Sequence, residues 1–363
     1  MSPRASDLVV DIMINNHNYG AFLAEAIESA CEQTHERVNV LAVDDGSSDD
    51  SRDVLARYRD RIGLVLQQQG GQAAAINAGM ARCEGDVVIF LDADDVLRPE
   101  AAARAAAAFA ADEGLSKVQY RMETIDAAGH PTGEVKPAPH LPLPNGDVRA
   151  AELAYPYDLV WMATSGNAFR AEAVRRILPI PVDGYPRTGA DWYLVHLTAL
   201  LGRVASLDFV GADYRVHGAN SYEAATAALD LEQLRQAIGF AATTSRELLR
   251  LAGELGLARP ERILSVADLA RRMISLKLEP ARHPLAADRP AGLVADAARA
   301  LRRRRGVSAA MRAGFLAWFA AMAVAPRGLA RWLGELFTIP QRRRSLNGLL
   351  GRLQGRGTSA AVA

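Results

Sequence analysis

Hydrophobic residues in the first hundred positions alternate between short strand-like runs and longer helical patterns. Apolar, β-branched runs of strand length occupy Leu8 to Ile14, Val38 to Val43 and Asp86 to Leu91. Apolar residues at helical spacing separate them, as in Phe22 to Gln33 and Gln72 to Arg82. Strands that alternate with helices predict a parallel sheet covered by helices on both faces.

The alternation continues to about residue 221, apart from a proline-rich surface loop predicted at Pro131–Pro144. Beyond it helical patterning dominates, and no repeats occur. We therefore predict an α/β catalytic domain over residues 1–221, a helical, arginine-rich region over 222–350 and a disordered tail over 351–363.

Composition is ordinary for a globular chain, but charge is unevenly distributed. The 363 residues are 50% hydrophobic and carry no net charge. From Arg299 to Arg344 there are eleven arginines and one acid, Glu335. Two cysteines without CxxC spacing make neither a disulfide framework nor a zinc site. The first residues lack the pattern of a secretory signal, so we expect a cytoplasmic location.

One apolar segment of the arginine-rich region, Phe315 to Ala325, is bounded by Arg312 and Arg327. It is shorter than the roughly twenty residues that span a bilayer. Two interpretations remain open. The segment either belongs to an interfacial helix that contacts the inner face of the cell membrane, or it packs on the catalytic domain with a solvated arginine face. Without aromatic interleaving or a known module, no nucleic-acid partner is expected.

Acidic residues cluster where the strand ending at Leu91 stops, at Asp92, Asp94 and Asp95. The carboxyl ends of strands in open α/β sheets are where such sheets bind ligands. Neighbouring carboxylates repel one another unless a cation or hydrogen-bond donors stabilise them, and a divalent ion with oxygen ligands would do so. The alternative is a solvated turn, in which Asp is common.

Familiar loop motifs do not explain these acids. The Asp44–Asp50 and Asp92–Asp95 segments lack the glycine and the terminal glutamate of a calcium loop. The turn after the first strand reads Asn-Asn-His-Asn-Tyr-Gly, so the G-x-G-x-x-G dinucleotide fingerprint is missing. A Walker loop is absent as well.

Six segments together carry a resemblance to one family. The chain resembles a family 2 glycosyltransferase of the GT-A fold, which implies a mostly parallel sheet flanked by helices and a C-terminal helical extension. It also implies transfer from a nucleotide-sugar with inversion at the anomeric carbon. The matching segments are Ile14–Tyr19, Val43–Asp49, Gly70–Gly79, Leu91–Asp95, Ala190–Trp192 and Tyr214–Ser221.

The resemblance implies a nucleotide site at the first three segments. Asp45 would accept a hydrogen bond from the base, and Asn15 and His17 would border it. His17 has the alternative of a simple strand-end cap. Many relatives have a basic residue for the diphosphate where this chain has only Gln72. The diphosphate contact is therefore open among Arg82, Arg215, a tail arginine and the metal itself.

The remaining segments imply the metal site and the base. Asp94 would approach the ribose and the metal, and Asp95 would coordinate the metal beneath the diphosphate, with Asp92 as its substitute. His217 would help with metal or phosphate, or be structural. Asp191 would be the catalytic base.

These roles agree with the chemistry of the reaction. Mg²⁺ or Mn²⁺ neutralises the leaving nucleoside diphosphate, and a carboxylate takes the proton of the attacking hydroxyl. We expect a UDP-sugar donor, or a dTDP- or GDP-sugar, and a glycan or lipid-linked acceptor in polysaccharide or glycolipid synthesis. A nucleotidyltransferase would normally have a glycine-rich loop with a basic residue after the first strand, which is missing here. An inactive scaffold would not need the intact set of acids.

Overall fold

The computed structural model describes residues 4–218, 220, 228–304 and 306–339. The chain divides into two compact units. The first comprises the residues up to His217 together with Phe240–Ile263, and the second comprises Gly218–Gly239 and the residues from Leu264 onward. The predicted boundary after residue 221 and the predicted tail over 351–363 lie outside the described residues, so both stay predictions.

A nine-stranded sheet forms the centre of the first unit, in the order β3-β2-β1-β4-β8-β6-β9-β5, with β7 paired to β6. Strands β1 to β4 are mutually parallel, β6 and β9 are parallel, and the other pairings are antiparallel. The strands are β1 Val10–Asn16, β2 Val38–Asp45, β3 Gly63–Gln67, β4 Val87–Asp92, β5 Val96–Leu97, β6 Leu115–Ile125, β7 Pro131–Lys136, β8 Asn167–Arg170 and β9 Arg203–Arg215.

The sequence of strand β4 is almost continuously apolar because its side chains are buried on both faces of the sheet. Val87, Ile89 and Leu91 join one buried cluster, whereas Val88 and Phe90 join another. Since successive strand residues point to opposite faces, both faces of the sheet are covered. The helices of this unit are α1 Gly20–Cys31, α2 Ser51–Tyr58, α3 Gln72–Met80, α4 Ala101–Ala111, α5 Arg149–Ala154, α6 Ala171–Ile177 and α7 Ala190–Leu201.

The α/β fold with a GT-A-type sheet is confirmed, with parallel pairing concentrated in its first four strands. One local prediction was wrong: the proline-rich stretch is not all loop. Its first part, Pro131–Lys136, is β7, which pairs antiparallel with β6. Proline is tolerated at the first residue of a strand and on an edge, where its missing N–H costs no ladder bond.

Helices build the second unit. Helix α8, Leu231–Glu254, contributes its residues before 240 to this unit and the rest to the first. It is followed by α9 Val266–Leu278, α10 Pro290–Arg303, α11 Ala309–Val324 and α12 Arg327–Thr338. Residues of α9 to α12 form a separate buried cluster that includes Phe319 and Met322. The predicted helical extension is thus confirmed. None of the helices in the described part of the chain combines the length and the apolarity needed to cross a membrane.

Candidate active site at the carboxyl ends of the parallel strands

The ends of β1, β2 and β4 bring the predicted nucleotide residues to one edge of the sheet. Asn15 pairs in register with Val43 on one side and Asp92 on the other, and Asn16 pairs with Asp44. Both amide atoms of the Asn15 side chain are buried, and neither has a hydrogen-bond partner among the described residues. Such orphaned polar atoms are rare in folded proteins, and they indicate a place for a polar ligand or ordered water.

The Asp45 carboxylate is hydrogen-bonded to the turn formed by Gly70 and Gly71. Its carboxylate, only 4% exposed, accepts hydrogen bonds from the backbone N–H groups of Gly70 and Gly71 at 2.7 Å each and from Gln67 Nε2 at 2.6 Å. His17 lies beside it and donates Nδ1–H to the Asp45 carbonyl oxygen at 2.8 Å. Asp45 thus holds the turn in place, and its predicted contact with a base stays a prediction.

The three acids after β4 have different surroundings. Asp95 accepts from Ser165 Oγ at 2.7 Å and from the Arg215 backbone N–H at 3.0 Å. The Oδ2 atom of Asp94 lies 3.0 Å from the Nε2 atom of His217. Burial, with the nearby charges of Asp94 and Asp191, raises the pKa of Asp92 to about 7. Burial and the other two acids hold the pKa of Asp95 well above its usual range.

This donor set fits a divalent cation that shares its coordination with a phosphate ligand. Within the described residues, no three His, Cys, Asp or Glu side chains are grouped as a complete protein cage. Mg²⁺ typically binds one or two carboxylates plus substrate phosphates rather than a cage. Asp94 and His217 are already adjacent, and Asp92 is close enough to Asp94 for the two carboxylates to repel each other. Asp95 fits less well, because each of its oxygens already accepts a protein hydrogen bond.

Two arginines considered for the diphosphate are placed elsewhere. The Arg215 guanidinium is buried, pairs with Glu25 at 2.5 Å and donates Nε–H to the Asp94 carbonyl at 2.9 Å. Arg82 follows the C-terminal end of α3, whereas Gln72 begins that helix. The arginines at 305 and 342–344 lie outside the described residues. These positions favour neither Arg82 nor Arg215 for the diphosphate, and the identity of that contact stays a prediction.

Gln72 connects the acidic strand end to the helix of the predicted base. Its Nε2 donates to Asp92 Oδ1 at 3.4 Å, and its Oε1 accepts from the Ala190 backbone N–H at 3.1 Å. Its own backbone N–H donates to the Arg187 carbonyl at 2.9 Å. A polar side chain at the start of an alanine-rich helix is the signal that points to this bridge.

Asp191 lies in the first turn of α7, next to the Gln72 bridge. Loss of hydration raises the pKa of its carboxyl, while the Trp192 backbone N–H, His196 and Lys117 act in the opposite direction. A carboxylate whose pKa is raised is a stronger base than an ordinary aspartate, which suits it to accept a proton from a hydroxyl. The structure thus places Asp191 near Asp92, although the two are 99 positions apart in sequence.

Sequence reasoning missed the supporting side chains around these acids. Ser165, which holds Asp95, lies in a short turn before β8. The buried pair Glu152 and His196, with Lys117 close by, lies behind Asp191. A lysine inside an apolar strand pattern is the one signal that could have revealed that group.

A glycine substitution tests the turn between Asp45 and the α7 loop. Gly71 has φ of 84°, and a Cβ there would lie 2.5 Å from the Pro186 carbonyl oxygen. Gly71→Ala is expected to destabilise the protein by about 1–3 kcal/mol and to weaken nucleotide binding, as measured by thermal unfolding and calorimetric titration. Gly133→Ala is the matched control, because Gly133 also has positive φ (76°) but no atom within 4 Å of its Cβ position. Equal effects of both substitutions would contradict the steric role.

Comparison with known proteins agrees with this geometry. The family model described as glycosyl transferase family 2 matches residues 11–170. An uncharacterized glycosyltransferase of Nostoc sp. is 34% identical over 239 residues, which cover 64% of this chain and 73% of that protein. The chain therefore belongs to glycosyltransferase family 2, and it is a glycosyltransferase.

More specific relatives match shorter segments or the fold alone. The undecaprenyl-phosphate 4-deoxy-4-formamido-L-arabinose transferase of Pseudomonas syringae pv. syringae is 44% identical over 99 residues, 25% of this chain and 29% of that protein. The structure of S. aureus TarS 1–349 in complex with UDP-GlcNAc superposes with a TM-score of 0.51 at 14% identity and covers 91% of both chains. The latter likeness supports the fold.

Proposed function

We propose that this protein transfers a sugar from a nucleotide-sugar, with a UDP-sugar as the expected donor, to a hydroxyl acceptor with inversion at the anomeric carbon. The observation that supports the proposal is the Gln72 bridge, which joins Asp92 to the start of α7, where Asp191 lies close enough for its charge to act on Asp92. One carboxylate across from a donor site is the arrangement that single displacement requires.

Each residue of the site has one task in this proposal. Asn15, whose amide lacks a partner among the described residues, binds the nucleotide, and His17 borders the base at the Asp45 turn. Gln72 keeps the two halves of the site together. Asp191 takes the proton of the acceptor hydroxyl as that oxygen attacks the anomeric carbon, and the nucleoside diphosphate leaves from the opposite side.

Asp94 and His217 would hold a divalent cation, Mn²⁺ or Mg²⁺. The sequence also suggests Asp95 as a ligand, but its role in this proposal is to fix the loop through Ser165 and Arg215. When bound, the cation neutralises charge that develops on the diphosphate. The side chain of His217 packs against Phe22, with ring centroids 4.8 Å apart, so its orientation is fixed.

A thermal-shift screen tests the donor class. Ligands that bind only the native state raise the melting temperature. We expect UDP, or alternatively dTDP or GDP, and the matching nucleotide-sugar to raise the melting temperature of the full chain with Mn²⁺, and ATP to leave it unchanged. A screen in which no nucleoside diphosphate raises it would contradict the proposed donor site.

The expected acceptor is a glycan or lipid-linked molecule, and the second unit offers a surface suited to a membrane. Val324, Leu329 and Trp332 are 84%, 46% and 45% exposed. Arg327 and Arg331 are exposed between them. Apolar side chains flanked by arginines favour weak binding to an anionic bilayer surface.

Vesicle sedimentation tests this surface. Leu329→Ser is expected to lower binding to anionic vesicles by about tenfold or more, because one fully inserted leucine contributes roughly 1.5–3 kcal/mol. Leu141→Ser is the control, since Leu141 is exposed in the first unit. Point substitutions are preferable to truncation after Arg299, which would remove Phe319 and Met322 from the buried cluster. Wild-type protein that stays in the supernatant at low salt would contradict membrane contact.

A further inference from the structure

A buried lysine lies behind the proposed base. Lys117, on β6, is 0% exposed, and its Nζ has no hydrogen-bond partner among the described residues. The ammonium sits 3.9 Å from the centroid of the Trp161 ring. Lysine is almost never fully buried unless it is paired, so this side chain requires an electrostatic reason for its place.

Two further buried groups adjoin this lysine. Glu152 is 0% and His196 3% exposed, and Glu152 Oε1 lies 2.5 Å from His196 Nδ1. The other carboxylate oxygen of Glu152 is buried without a partner among the described residues. Tyr157 and Trp161 pack edge-on against the His196 ring, with centroids 5.2 and 6.0 Å away. We call Lys117, Glu152 and His196 the Lys117 cluster.

The Lys117 cluster is electrostatically connected to Asp191. Burial lowers the pKa of Lys117, and the carboxylates of Glu152 and Asp191 oppose that shift. His196 lies on α7, the helix that Asp191 begins. A buried ammonium and a buried carboxylate stabilise each other's charged form, so the interaction acts on both groups.

We propose that Lys117, buried with Glu152 and His196 behind the start of α7, is a positioning residue that keeps the Asp191 carboxylate ionised and in place for proton transfer. The inference rests on the proposed role of Asp191 as the base. It adds to that role the positive charge of Lys117, which stabilises the buried Asp191 carboxylate.

The groups that face Asp191 come from several elements. Lys117 reaches it from β6 and His196 from α7 itself, and both favour the ionised carboxylate. Asp92, at the end of β4, is repelled by it. Tyr185, in the loop before α7, is buried and has a raised pKa, so it stays neutral. Lys117 and His196 thus act on the pKa of Asp191 in the direction opposite to burial.

Lysine is rare in this chain. Among 42 basic residues only three are lysines, namely Lys117, Lys136 and Lys277. Arginine stays charged in almost any surroundings, whereas a buried lysine changes its pKa readily in response to nearby charge. A lysine at this position therefore responds to the charge state of Asp191.

Three lysines make a direct NMR test practicable. In full-length protein labelled at lysine Cε, the titration of each amine is followed by its ¹³C shift and assigned with Lys→Met variants. In Asp191→Asn, loss of the carboxylate charge is expected to lower the pKa of Lys117 by about one unit and to leave Lys277 unchanged. Glu152→Gln is expected to act in the same direction. A Lys117 titration that is identical in wild type and Asp191→Asn would overturn the inference.

A pH–rate profile connects the cluster to function. With the nucleotide-sugar that the wild type turns over, Lys117→Met is expected to move the acid limb of kcat/KM upward by about one pH unit, because Asp191 then loses its proton at higher pH. Lys277→Met is the matched control. An unmoved limb in folded Lys117→Met would contradict the inference alone, whereas full turnover by Asp191→Asn would contradict the proposed base. The NMR test needs no substrate, so it can contradict the role of Lys117 independently of the turnover assay that tests Asp191 as the base.

Discussion

Asp191→Asn is expected to bind the nucleotide-sugar with near wild-type affinity and to transfer sugar about a hundred- to ten-thousandfold more slowly. The proton of the acceptor hydroxyl has to be taken only when that oxygen attacks, so loss of the base leaves donor binding intact. Asparagine keeps the size and one acceptor oxygen of aspartate but cannot take a proton. Calorimetric titration of the donor and a turnover assay on the same sample separate the two effects.

The competing structural explanation makes the opposite prediction. If Asp191 only stabilised the first turn of α7, asparagine would serve nearly as well, because both residues are good at helix starts. Asp183→Asn is a suitable control, since Asp183 is exposed in the loop before α7. A turnover above about a tenth of wild type corresponds to less than roughly 1.4 kcal/mol of barrier and would place the base elsewhere.

Asp94→Ala is expected to weaken UDP binding by more than about tenfold in Mn²⁺. Loss of a residue that only supports a metal ligand already costs about tenfold or more, and loss of a ligand itself should cost at least as much. In EDTA the variant and the wild type are expected to bind equally. The reason is that Asp94 and His217 lie together, and the part of the chain that the structure describes holds no group of three His, Cys, Asp or Glu side chains, so a cation there would also need the diphosphate as a ligand. Calorimetric titration with and without metal measures the difference, and Asp53→Ala, an exposed acid on α2, is the control.

Asp95→Ala is a less selective probe of the metal. Its removal would also leave Ser165 Oγ and the Arg215 N–H without their acceptor, at a cost of about 1–3 kcal/mol for each buried group left unpaired. We expect a lower melting temperature for Asp95→Ala than for Asp94→Ala. Metal-independent UDP binding by the wild type would contradict the metal proposal for both acids.

Local patterns were sufficient to predict the frame of the fold. The apolar run of β4 is continuous because both faces of the strand are buried, and the alternation of strands and helices gave the parallel first half of the sheet. Strand β7 was missed because prolines usually mark loops, and its pairing with β6 is visible only in the folded chain.

The predicted acids came together, but their hydrogen-bond partners could not be foreseen. Asp45 takes its donors from Gly70 and Gly71, and Asp95 from Ser165 and Arg215. These partners are 25 to 120 positions away, and only the crossover connections of the sheet bring them close. The Lys117 cluster was missed for the same reason, since β6, α5 and α7 meet only in three dimensions.

Release of nucleoside diphosphate by the full chain with Mn²⁺ tests directly whether the site turns over a nucleotide-sugar. The assay compares UDP-, dTDP- and GDP-sugars with nucleoside triphosphates plus sugar phosphates, the substrates of a nucleotidyltransferase. We expect nucleoside diphosphate release from at least one nucleotide-sugar and no pyrophosphate release from any triphosphate. Pyrophosphate release, with every nucleotide-sugar left intact, would contradict it.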